Sequence, residues 1–289
     1  MATLNDFGIA EKQQWCPGCG DFAINIAIKN ALAEIGAEPH NTVVVSGIGC
    51  SGKMPHYVRT YGFESLHGRV LPPASGIKLA NHELNVIGVG GDGDGYGIGM
   101  GHFIHIMRRN YDLTYIVHDN QVYGLTTGQA APTTQKGMVT KSTPYGNMEE
   151  PVHPLPIALT MGATYVARGF AGDLKHLSSL IAGAIKHKGF ALIDVLQPCV
   201  TFNKLNTYQY WQQRCYKLEE QGHDVSSHEK AMEKANEDWK TNYEKIPIGL
   251  FYKEDKPTYE SELPQLRAGT LLKQGTKPQG LEAAMDEFI

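Results

Sequence analysis

Short apolar runs that alternate with helical segments constrain the fold of this chain more than any other feature. The run Thr42–Ser46 is β-branched and stops at Gly47, which predicts a buried strand, and it follows a helical pattern over 21–35. The same alternation continues along the chain. Further strands are predicted over 84–90, 113–118, 163–167 and 191–196, and further helices over 96–109, 152–161 and 173–188. Strands joined by helices form right-handed crossovers, so the sequence predicts an α/β fold with a mostly parallel sheet covered by helices on both faces.

The residues after Pro198 follow a different pattern. The stretch 216–245 is rich in Lys and Glu and contains few apolar residues, and no further alternation of strands and helices is found after Pro198. Charged helices gain little stability when they stand alone, because most helical stability comes from packing. The sequence therefore predicts a cofactor-binding domain over 1–205 and a helical or irregular extension over 206–289 that contacts a partner protein.

Charge and composition exclude several classes of function. Charged residues make up 19% of the 289 residues, and the formal net charge of −4 gives no attraction for nucleic acid or an anionic membrane surface. No apolar run approaches the ~20 residues of a membrane helix, and the N-terminus lacks a basic segment followed by an apolar one. We expect a cytoplasmic protein that binds neither nucleic acid nor membrane.

A glycine-rich turn, Gly88–Gly97, lies between a predicted strand and a predicted helix. Backbone N–H groups in such a turn can hold a diphosphate. The spacing formally matches the dinucleotide fingerprint, but Asp112, the nearest acid downstream, precedes its strand instead of ending it. Asp92, Asn120 and the Val122 carbonyl offer hard oxygen ligands at neighbouring strand ends, as Mg²⁺ prefers. The arrangement resembles the thiamine diphosphate signature, while another nucleotide or a structural turn stays open.

Four of the five cysteines lie in loops beside predicted elements. Cys16 and Cys19 precede the first helix, Cys50 follows the first strand and Cys199 follows the last. An odd number of cysteines is a poor disulfide framework, whereas a Cys-x-x-Cys pair with distant partners is typical of metal sites. Four thiolates suit Zn²⁺ or an iron–sulfur cluster, and the lack of a second Cys-x-x-Cys pair favours a [4Fe–4S] cluster. Cys215 is expected to be a bystander.

Taken together, these segments resemble the β subunit of 2-oxoacid:ferredoxin oxidoreductases over about residues 10 to 205. The motifs are Cys16-Pro-Gly-Cys-Gly20, Ser46-Gly-Ile-Gly-Cys-Ser-Gly-Lys53, Leu66-His-Gly-Arg69 with Gly76-Ile-Lys-Leu-Ala-Asn81, Gly91-Asp-Gly-Asp94, Tyr123-Gly-Leu-Thr-Thr-Gly-Gln129 and Asp194-Val-Leu-Gln-Pro-Cys199. The resemblance implies a thiamine diphosphate domain with Mg²⁺ and one [4Fe–4S] cluster on Cys16, Cys19, Cys50 and Cys199. It also implies an α subunit that carries the pyrimidine-binding domain, in a heterodimer or a dimer of heterodimers.

The resemblance further implies the reaction and the residues that serve it. The family oxidatively decarboxylates a 2-oxoacid with coenzyme A to acyl-CoA and CO₂, and the electrons reach ferredoxin through the cluster. Contacts to thiamine diphosphate are expected from Ile48, Gly49, Cys50, Ser51, His67, Gly68, Gly91, Gly93, Asp94, Gly124 and Leu125, and contacts to Mg²⁺ from Asp92, Asn120 and Val122. Lys53, whose ammonium can bind a substrate carboxylate, and His67, which can touch cofactor or substrate, are the candidate catalytic residues.

The substrate and one alternative function stay open at this point. A distal carboxylate bound by Lys53 favours 2-oxoglutarate, although relatives that use pyruvate or other 2-oxoacids share most of the motifs. An electron-transfer or zinc-stabilised binding module without thiamine explains the cysteines but leaves Asp92 and Asn120 without a role. The glutamate that activates thiamine in this family belongs to the α subunit's type of domain, so we expect the isolated chain to be inactive.

Overall fold

The computed structural model describes residues 3–275 and 285–287 and builds them around one large sheet. Its strands, in chain order, are β1 (Thr42–Ser46), β2 (Tyr61–Glu64), β3 (Asn85–Gly91), β4 (Leu113–Asp119), β5 (Val122–Tyr123), β6 (Gln129–Ala130), β7 (Tyr165–Phe170), β8 (Phe190–Leu196), β9 (Cys215–Lys217) and β10 (Ile246–Lys253). Eight strands form the sheet in the order β2-β1-β3-β4-β8-β7-β10-β9, and β5 pairs with β6 in a separate antiparallel hairpin. The strands β1 to β4, β7 and β8 are mutually parallel, which confirms the predicted fold class.

Helices connect these strands and cover both faces of the sheet. They are α1 (Gly20–Glu34), α2 (Leu71–Ala80), α3 (Met100–Arg109), α4 (Pro154–Thr160), α5 (Leu174–Lys186), α6 (Tyr208–Arg214), α7 (His228–Ala235), α8 (Glu237–Lys240), α9 (Tyr259–Glu262) and α10 (Leu271–Gln274). Helices α1 and α5 pack together on one face, whereas α2, α3, α4 and α7 cover the other. Side chains of a strand alternate between the two faces of a sheet. Val44 therefore packs in the core under α1 and α5, whereas Val43 and Val45 pack in the core under α2, α3, α4 and α7.

The prediction of a helical or irregular extension over 206–289 was wrong for the two segments that form β9 and β10. Strand β10 pairs antiparallel with β7, and β9 pairs parallel with β10, so this segment completes the main sheet. Pro247 and Gly249 lie inside β10 and weakened its strand signal, because both residues are rare in strand interiors. Trp211 of α6 is buried in a core shared with β7, β8 and β10. The division at 205 and the partner contact stay predictions, and 276–284, 288 and 289 lie outside the described residues.

Further elements were not predicted, among them α2 and β2, and one was placed differently. Helix α2 begins with two prolines in its first turn, and β2 is exposed along its whole length, so neither carried a clear periodic signal. The helix predicted over 96–109 is a short π-helical segment, Gly93–Ile98, followed by α3. Glycine has low helix propensity, which explains why the regular helix begins only at Met100. No helix within the described ranges has the length and apolar composition needed to cross a membrane.

The strand order brings four connecting loops to one edge of the sheet. Strands β1, β3, β4 and β8 are adjacent and parallel, so their carboxyl ends lie side by side. Ligand sites in open α/β sheets form in the crevice outside these ends. The segments that leave them are 47–51, 92–99, 120–125 and 197–199, which contain most of the residues singled out from the sequence.

Candidate active site

A cavity of about 270 Å³ opens at this edge of the sheet. Thirteen of the residues predicted as cofactor or magnesium contacts line it together. They are Ile48, Gly49, Cys50, Ser51, His67, Gly91, Asp92, Gly93, Asp94, Asn120, Val122, Gly124 and Leu125. Tyr123 and Thr126 complete the lining. The predicted contact Gly68 lies outside it, and its N–H donates to Asp94.

Asp92 presents a buried carboxylate at the end of β3. Only 2% of the residue is exposed, and burial raises the pKa of its carboxyl to about 7. The Thr133 hydroxyl lies 2.6 Å from Asp92 Oδ2 and 2.8 Å from Asp119 Oδ1. A hydroxyl has one proton to donate, so one of the two carboxyl groups must donate back to Thr133. A buried acid with this raised pKa gains its negative form when a cation binds beside it.

Asn120 and Val122 offer two further oxygens to the cavity. The Asn120 Nδ2 group donates to Gln197 Oε1 at 2.8 Å, which fixes the orientation of the Asn120 amide. Its Oδ1 therefore faces away from Gln197. Oδ1 accepts from the Val122 N–H at 3.1 Å and keeps a second lone pair. Gln121, with φ of 60°, makes the left-handed turn between them. The carboxylate, amide oxygen and backbone carbonyl match the hard oxygen donors that Mg²⁺ takes in proteins, so the residues fit that ion.

Asp94 fixes the loops that form one wall of the cavity. Its Oδ1 accepts from the Ile48 N–H at 3.0 Å and the Gly68 N–H at 2.8 Å, and lies 2.9 Å from His67 Nδ1. The residue is 2% exposed, so these bonds are shielded from water. Asp94 therefore acts on this site through the position of the loops at Ile48 and His67, and its Oδ1 is committed to them.

The two candidate catalytic residues lie in different surroundings. His67 lines the cavity, and its contact with Asp94 through Nδ1 leaves Nε2 as the nitrogen available to a ligand. Its ring also packs edge-on against Tyr123 with centroids 6.2 Å apart. Lys53 does not line this cavity, and its ammonium donates to the Gln14 carbonyl at 3.1 Å. The structure thus brings His67, and not the Lys53 ammonium, to the predicted site.

The four predicted cluster cysteines lie on loops that are tied to one another. A Cβ placed on Gly124 would lie 3.5 Å from Cys199 Sγ and 3.8 Å from Cys50 Sγ, so both sulfurs flank the cavity loop. The Gly20 N–H donates to the Pro198 carbonyl at 3.2 Å, which joins the segment after Cys19 to the Cys199 loop.

The Cys16 segment is joined to the same group of loops through a tryptophan. Trp15 Nε1 donates to the Cys50 carbonyl at 2.8 Å, which anchors the segment beside the Cys50 loop. Cys16 is exposed, whereas Cys19 and Cys199 are buried. Cys215 lies apart in β9, where it pairs with Ile246.

Burial sets the protonation of the thiols in this group. It raises the pKa of Cys50 to about 12, with the Asp21 carboxylate adding to the rise, and it raises the pKa values of Cys19 and Cys199. Thiols with such high pKa values stay protonated in the absence of metal. A bound metal cation takes the thiolate as its ligand, so it displaces the proton. Within residues 3–275 and 285–287, no group of three or more His, Cys, Asp or Glu side chains is arranged to hold a single metal ion.

Besides Tyr123 and Thr126 of the cavity lining, two residues that hold the predicted magnesium ligands were missed by sequence reasoning. Thr133, which bridges Asp92 and Asp119, stands in a loop without any motif. Gln197, which bonds to Asn120, belongs to a quoted motif but was given no role. The sequence signal for Gln197 was its place directly after a predicted buried strand.

Comparison with known proteins gives matches over most of the chain. Residues 20–195 match the family model described as thiamine pyrophosphate enzyme, C-terminal TPP binding domain. Residues 199–268 match the model that describes the C-terminal part of the pyruvate ferredoxin oxidoreductase beta subunit. These two matches adjoin at the end of β8, where the last predicted cluster cysteine lies.

Individual relatives extend this result. Subunit beta of a 2-oxoacid:ferredoxin oxidoreductase from Sulfolobus sp is 51% identical over 259 residues, which cover 86% of this chain and 85% of that protein. The 2-oxoglutarate oxidoreductase subunit KorB of Mycobacterium tuberculosis is 46% identical over 198 residues, 68% of this chain and 53% of that protein. A solved structure of 2-oxoglutarate:ferredoxin oxidoreductase from Magnetococcus marinus, with 2-oxoglutarate, coenzyme A and succinyl-CoA bound, matches with a TM-score of 0.90 and 39% identity. That match covers 99% of this chain and 96% of the other.

Proposed function

This chain belongs to the family of 2-oxoacid:ferredoxin oxidoreductase β subunits, and on that premise we propose that it carries the thiamine diphosphate, Mg²⁺ and [4Fe–4S] sites of an enzyme that oxidises 2-oxoglutarate. The observation that carries the proposal is the cavity at the carboxyl ends of β1, β3 and β4, which gathers the thirteen predicted contacts. When bound, thiamine diphosphate supplies the carbon nucleophile and the electron sink that decarboxylation of a 2-oxoacid requires.

The protein's part at the thiamine site is to hold and orient. Asp92, Asn120 and the Val122 carbonyl would hold Mg²⁺, and the raised pKa of Asp92 supports a cation there. The backbone from Gly91 to Gly93 would hold the diphosphate at the start of the following helical segment. Gly124 and Leu125 line the same cavity and would contact the thiazolium ring.

The cluster is proposed on Cys16, Cys19, Cys50 and Cys199. A [4Fe–4S] core is wider than one ion, so its four thiolates need not converge on a single point. The raised pKa values of the buried thiols support metal ligation, since bound iron would hold them as thiolates. Oxidation of one 2-oxoacid with coenzyme A gives acyl-CoA, CO₂, a proton and two electrons, and ferredoxin takes up the electrons one at a time.

The preference for 2-oxoglutarate now depends on the relatives. The Lys53 ammonium is bonded to the Gln14 carbonyl outside the cavity lining, so it gives no support for recognition of a distal carboxylate. The Mycobacterium tuberculosis relative and the Magnetococcus marinus structure both carry 2-oxoglutarate in their names. Pyruvate is the second candidate, because the match over residues 199–268 is to a pyruvate enzyme's β subunit.

An α subunit is proposed to cover the mouth of the cavity. Large apolar side chains stand exposed around it: Leu66 is 78% exposed, Leu125 49% and Ile48 39%. Exposed apolar groups clustered beside a functional cavity are typical of interaction surfaces. A subunit seated there would exclude water from the cavity and supply the groups of the pyrimidine-binding domain.

The test is anaerobic co-expression of the chain with its α subunit. The purified complex is assayed for iron, acid-labile sulfide and thiamine, and for reduction of ferredoxin with 2-oxoglutarate or pyruvate in the presence of coenzyme A. We expect one [4Fe–4S] cluster and one thiamine diphosphate per β chain, with the higher kcat/KM for 2-oxoglutarate. A higher value for pyruvate would reject the substrate, and a thiamine-free active complex would reject the proposal.

Two comparisons isolate the role of the chain. The Asp92→Ala variant of the complex should lose thiamine and keep its iron, because the Asp92 carboxylate is not among the cluster ligands. The chain purified without the α subunit should reduce no ferredoxin. Catalysis by the single chain would show that the pyrimidine-binding domain is not needed.

A further inference from the structure

Gln197 stands between the predicted cluster and the predicted magnesium site and bonds to residues of both. Its Nε2 lies 3.2 Å from Cys19 Sγ and donates to the Pro198 carbonyl at 3.0 Å. Its Oε1 accepts from Asn120 Nδ2 at 2.8 Å. We infer that Gln197 is a positioning residue that raises the reduction potential of the cluster through its N–H···S bond and orients the magnesium ligand Asn120. This inference deepens the proposed function and rests on it.

The orientation of the Gln197 amide is determined by its neighbours. Its two N–H hydrogens serve two acceptors, the Cys19 sulfur and the Pro198 carbonyl, while Asn120 supplies a donor to its oxygen. A flipped amide would place two NH₂ groups against each other and a carbonyl oxygen against a carbonyl oxygen. The residue is 1% exposed, so no water can replace these bonds.

Packing restricts the conformation of the Gln197 side chain. A Cβ placed on Gly20 would lie 2.8 Å from Gln197 Cγ, so the chain directly after Cys19 passes against the glutamine stem. The backbone is fixed as well, because the Gln197 N–H donates to the Asp119 carbonyl at 2.9 Å. The amide is therefore held on both sides before any cofactor binds, as a preorganised contact requires.

The chemical consequence follows from the charge on the sulfur. Hydrogen bonds to cluster sulfurs are one of the factors that set the potential of an iron–sulfur cluster. Reduction adds an electron to the core and increases the negative charge on its thiolate ligands, so an N–H···S bond is stronger in the reduced state. On its other side, Cys19 Sγ lies 3.3 Å from Asp21 Oδ2, an acceptor that gives the sulfur no such support. Removal of the Gln197 donor should make the cluster harder to reduce.

The opposite end of the amide acts on Asn120. A cation on Asn120 Oδ1 would polarise its Nδ2 group and strengthen the bond to Gln197 Oε1, which in turn polarises the N–H aimed at sulfur. Loss of a residue that holds a metal ligand in place costs roughly 10–100-fold in metal affinity. Gln197 should thus have two separable effects, one on the cluster potential and one on the affinity for Mg²⁺.

Two substitutions separate these effects in the complete α–β complex. Gln197→Met keeps a side chain of similar length without charge, and it loses the hydrogen bonds to both Cys19 and Asn120. Gln197→Glu keeps an oxygen that accepts from Asn120 but loses the donor to Cys19. Gln135→Met and Gln135→Glu are the matched controls, because Gln135 is also buried and its amide donates to the Tyr210 hydroxyl at 3.2 Å, not to a sulfur.

The potential is measured by a redox titration followed by electron paramagnetic resonance, and Mg²⁺ affinity by the metal dependence of thiamine diphosphate binding. Gln197→Met should lower the equilibrium constant for one-electron reduction about tenfold, equal to about 59 mV, and weaken Mg²⁺ about tenfold. Gln197→Glu should lower the potential at least as much and bind Mg²⁺ within about threefold of wild type. Both Gln135 controls should leave both values unchanged.

The outcomes separate the inference from the proposed function. A wild-type complex without a cluster signal rejects the proposed function, and the inference with it. A wild-type cluster whose potential is unchanged in Gln197→Met and Gln197→Glu rejects the inference alone, and so does unchanged Mg²⁺ affinity in Gln197→Met. If the Met variant fails to keep iron, the Glu variant, which preserves shape and one bond, gives the potential.

Discussion

Asp92→Asn should stabilise the chain while it abolishes cofactor binding. The Asp92 carboxyl is buried beside Asp119, and burial raises its pKa from an ordinary 3.8 to about 7. An acid whose pKa is raised on folding destabilises the folded state above its unfolded pKa, and the penalty becomes constant above its folded pKa. At about 1.4 kcal/mol per pKa unit, the full penalty at pH 8 is about 4 kcal/mol. The amide keeps the shape of the side chain and has no charge to desolvate.

The pH dependence makes this prediction specific. At pH 5 the penalty is about 2 kcal/mol, so the advantage of Asp92→Asn over wild type should grow by roughly 2 kcal/mol between pH 5 and pH 8. The measurement is anaerobic urea unfolding of the two chains at both pH values without Mg²⁺, with thiamine bound by the α–β complex assayed in parallel. An advantage that does not change with pH, or a variant less stable than wild type at pH 8, would refute this account of Asp92.

Three further substitutions test other parts of the structure. Gly124→Val should lower the iron content of the purified complex several-fold, because its methyl groups would occupy the space between the two sulfurs that flank this glycine; full iron content would contradict that placement. Arg168→Met should lower the free energy of unfolding in urea by about 3–5 kcal/mol, because the buried carboxylates of Asp194 and Asp238 lose their cation. These carboxylates lie 3.1 and 2.7 Å from the guanidinium. A loss under 1 kcal/mol would show that the ion network is dispensable. Lys53→Met should leave the KM for 2-oxoglutarate within about twofold of wild type, because the ammonium is bonded to a backbone carbonyl outside the cavity lining; a tenfold rise would show that Lys53 reaches the substrate after all.

The sequence predicted the parallel core of the fold well because its strands are short, β-branched and continuous. Strand β1 was predicted with its observed bounds, Thr42–Ser46, and β8 was predicted to begin one residue late. Strand β10 was missed for a physical reason. Ile246, Ile248 and Leu250 alternate with the period of a strand, but Pro247 and Gly249 stand between them, and both residues are rare in strand interiors. The pairing with β7 that stabilises the strand is not encoded in its own sequence.

The site residues were predictable to the extent that they end strands. Asp92 and Asn120 follow β3 and β4, and parallel strands place such residues at one edge whatever the details of the loops. Lys53 was different. Its position near Cys50 in the sequence favoured a substrate contact, but the short helical segment 51–57 turns its side chain toward Gln14. The direction of a long side chain depends on tertiary packing that a motif does not encode.

The link through Gln197 depends on strand order, which the sequence leaves open. Along the chain β7 comes between β4 and β8, and consecutive strands are usually neighbours, so β7 would be expected beside β4. In the structure β8 lies beside β4, with Asp119 opposite Leu196, and β7 lies outside it. Asn120 follows the end of β4 and Gln197 follows the end of β8, so the two side chains contact each other directly. Since Cys199 is two positions further on and Cys19 packs beneath the same amide, the pairing of β4 with β8 brings the predicted cluster to the predicted magnesium site. An exchange of β7 and β8 in the sheet would keep every motif and lose this contact.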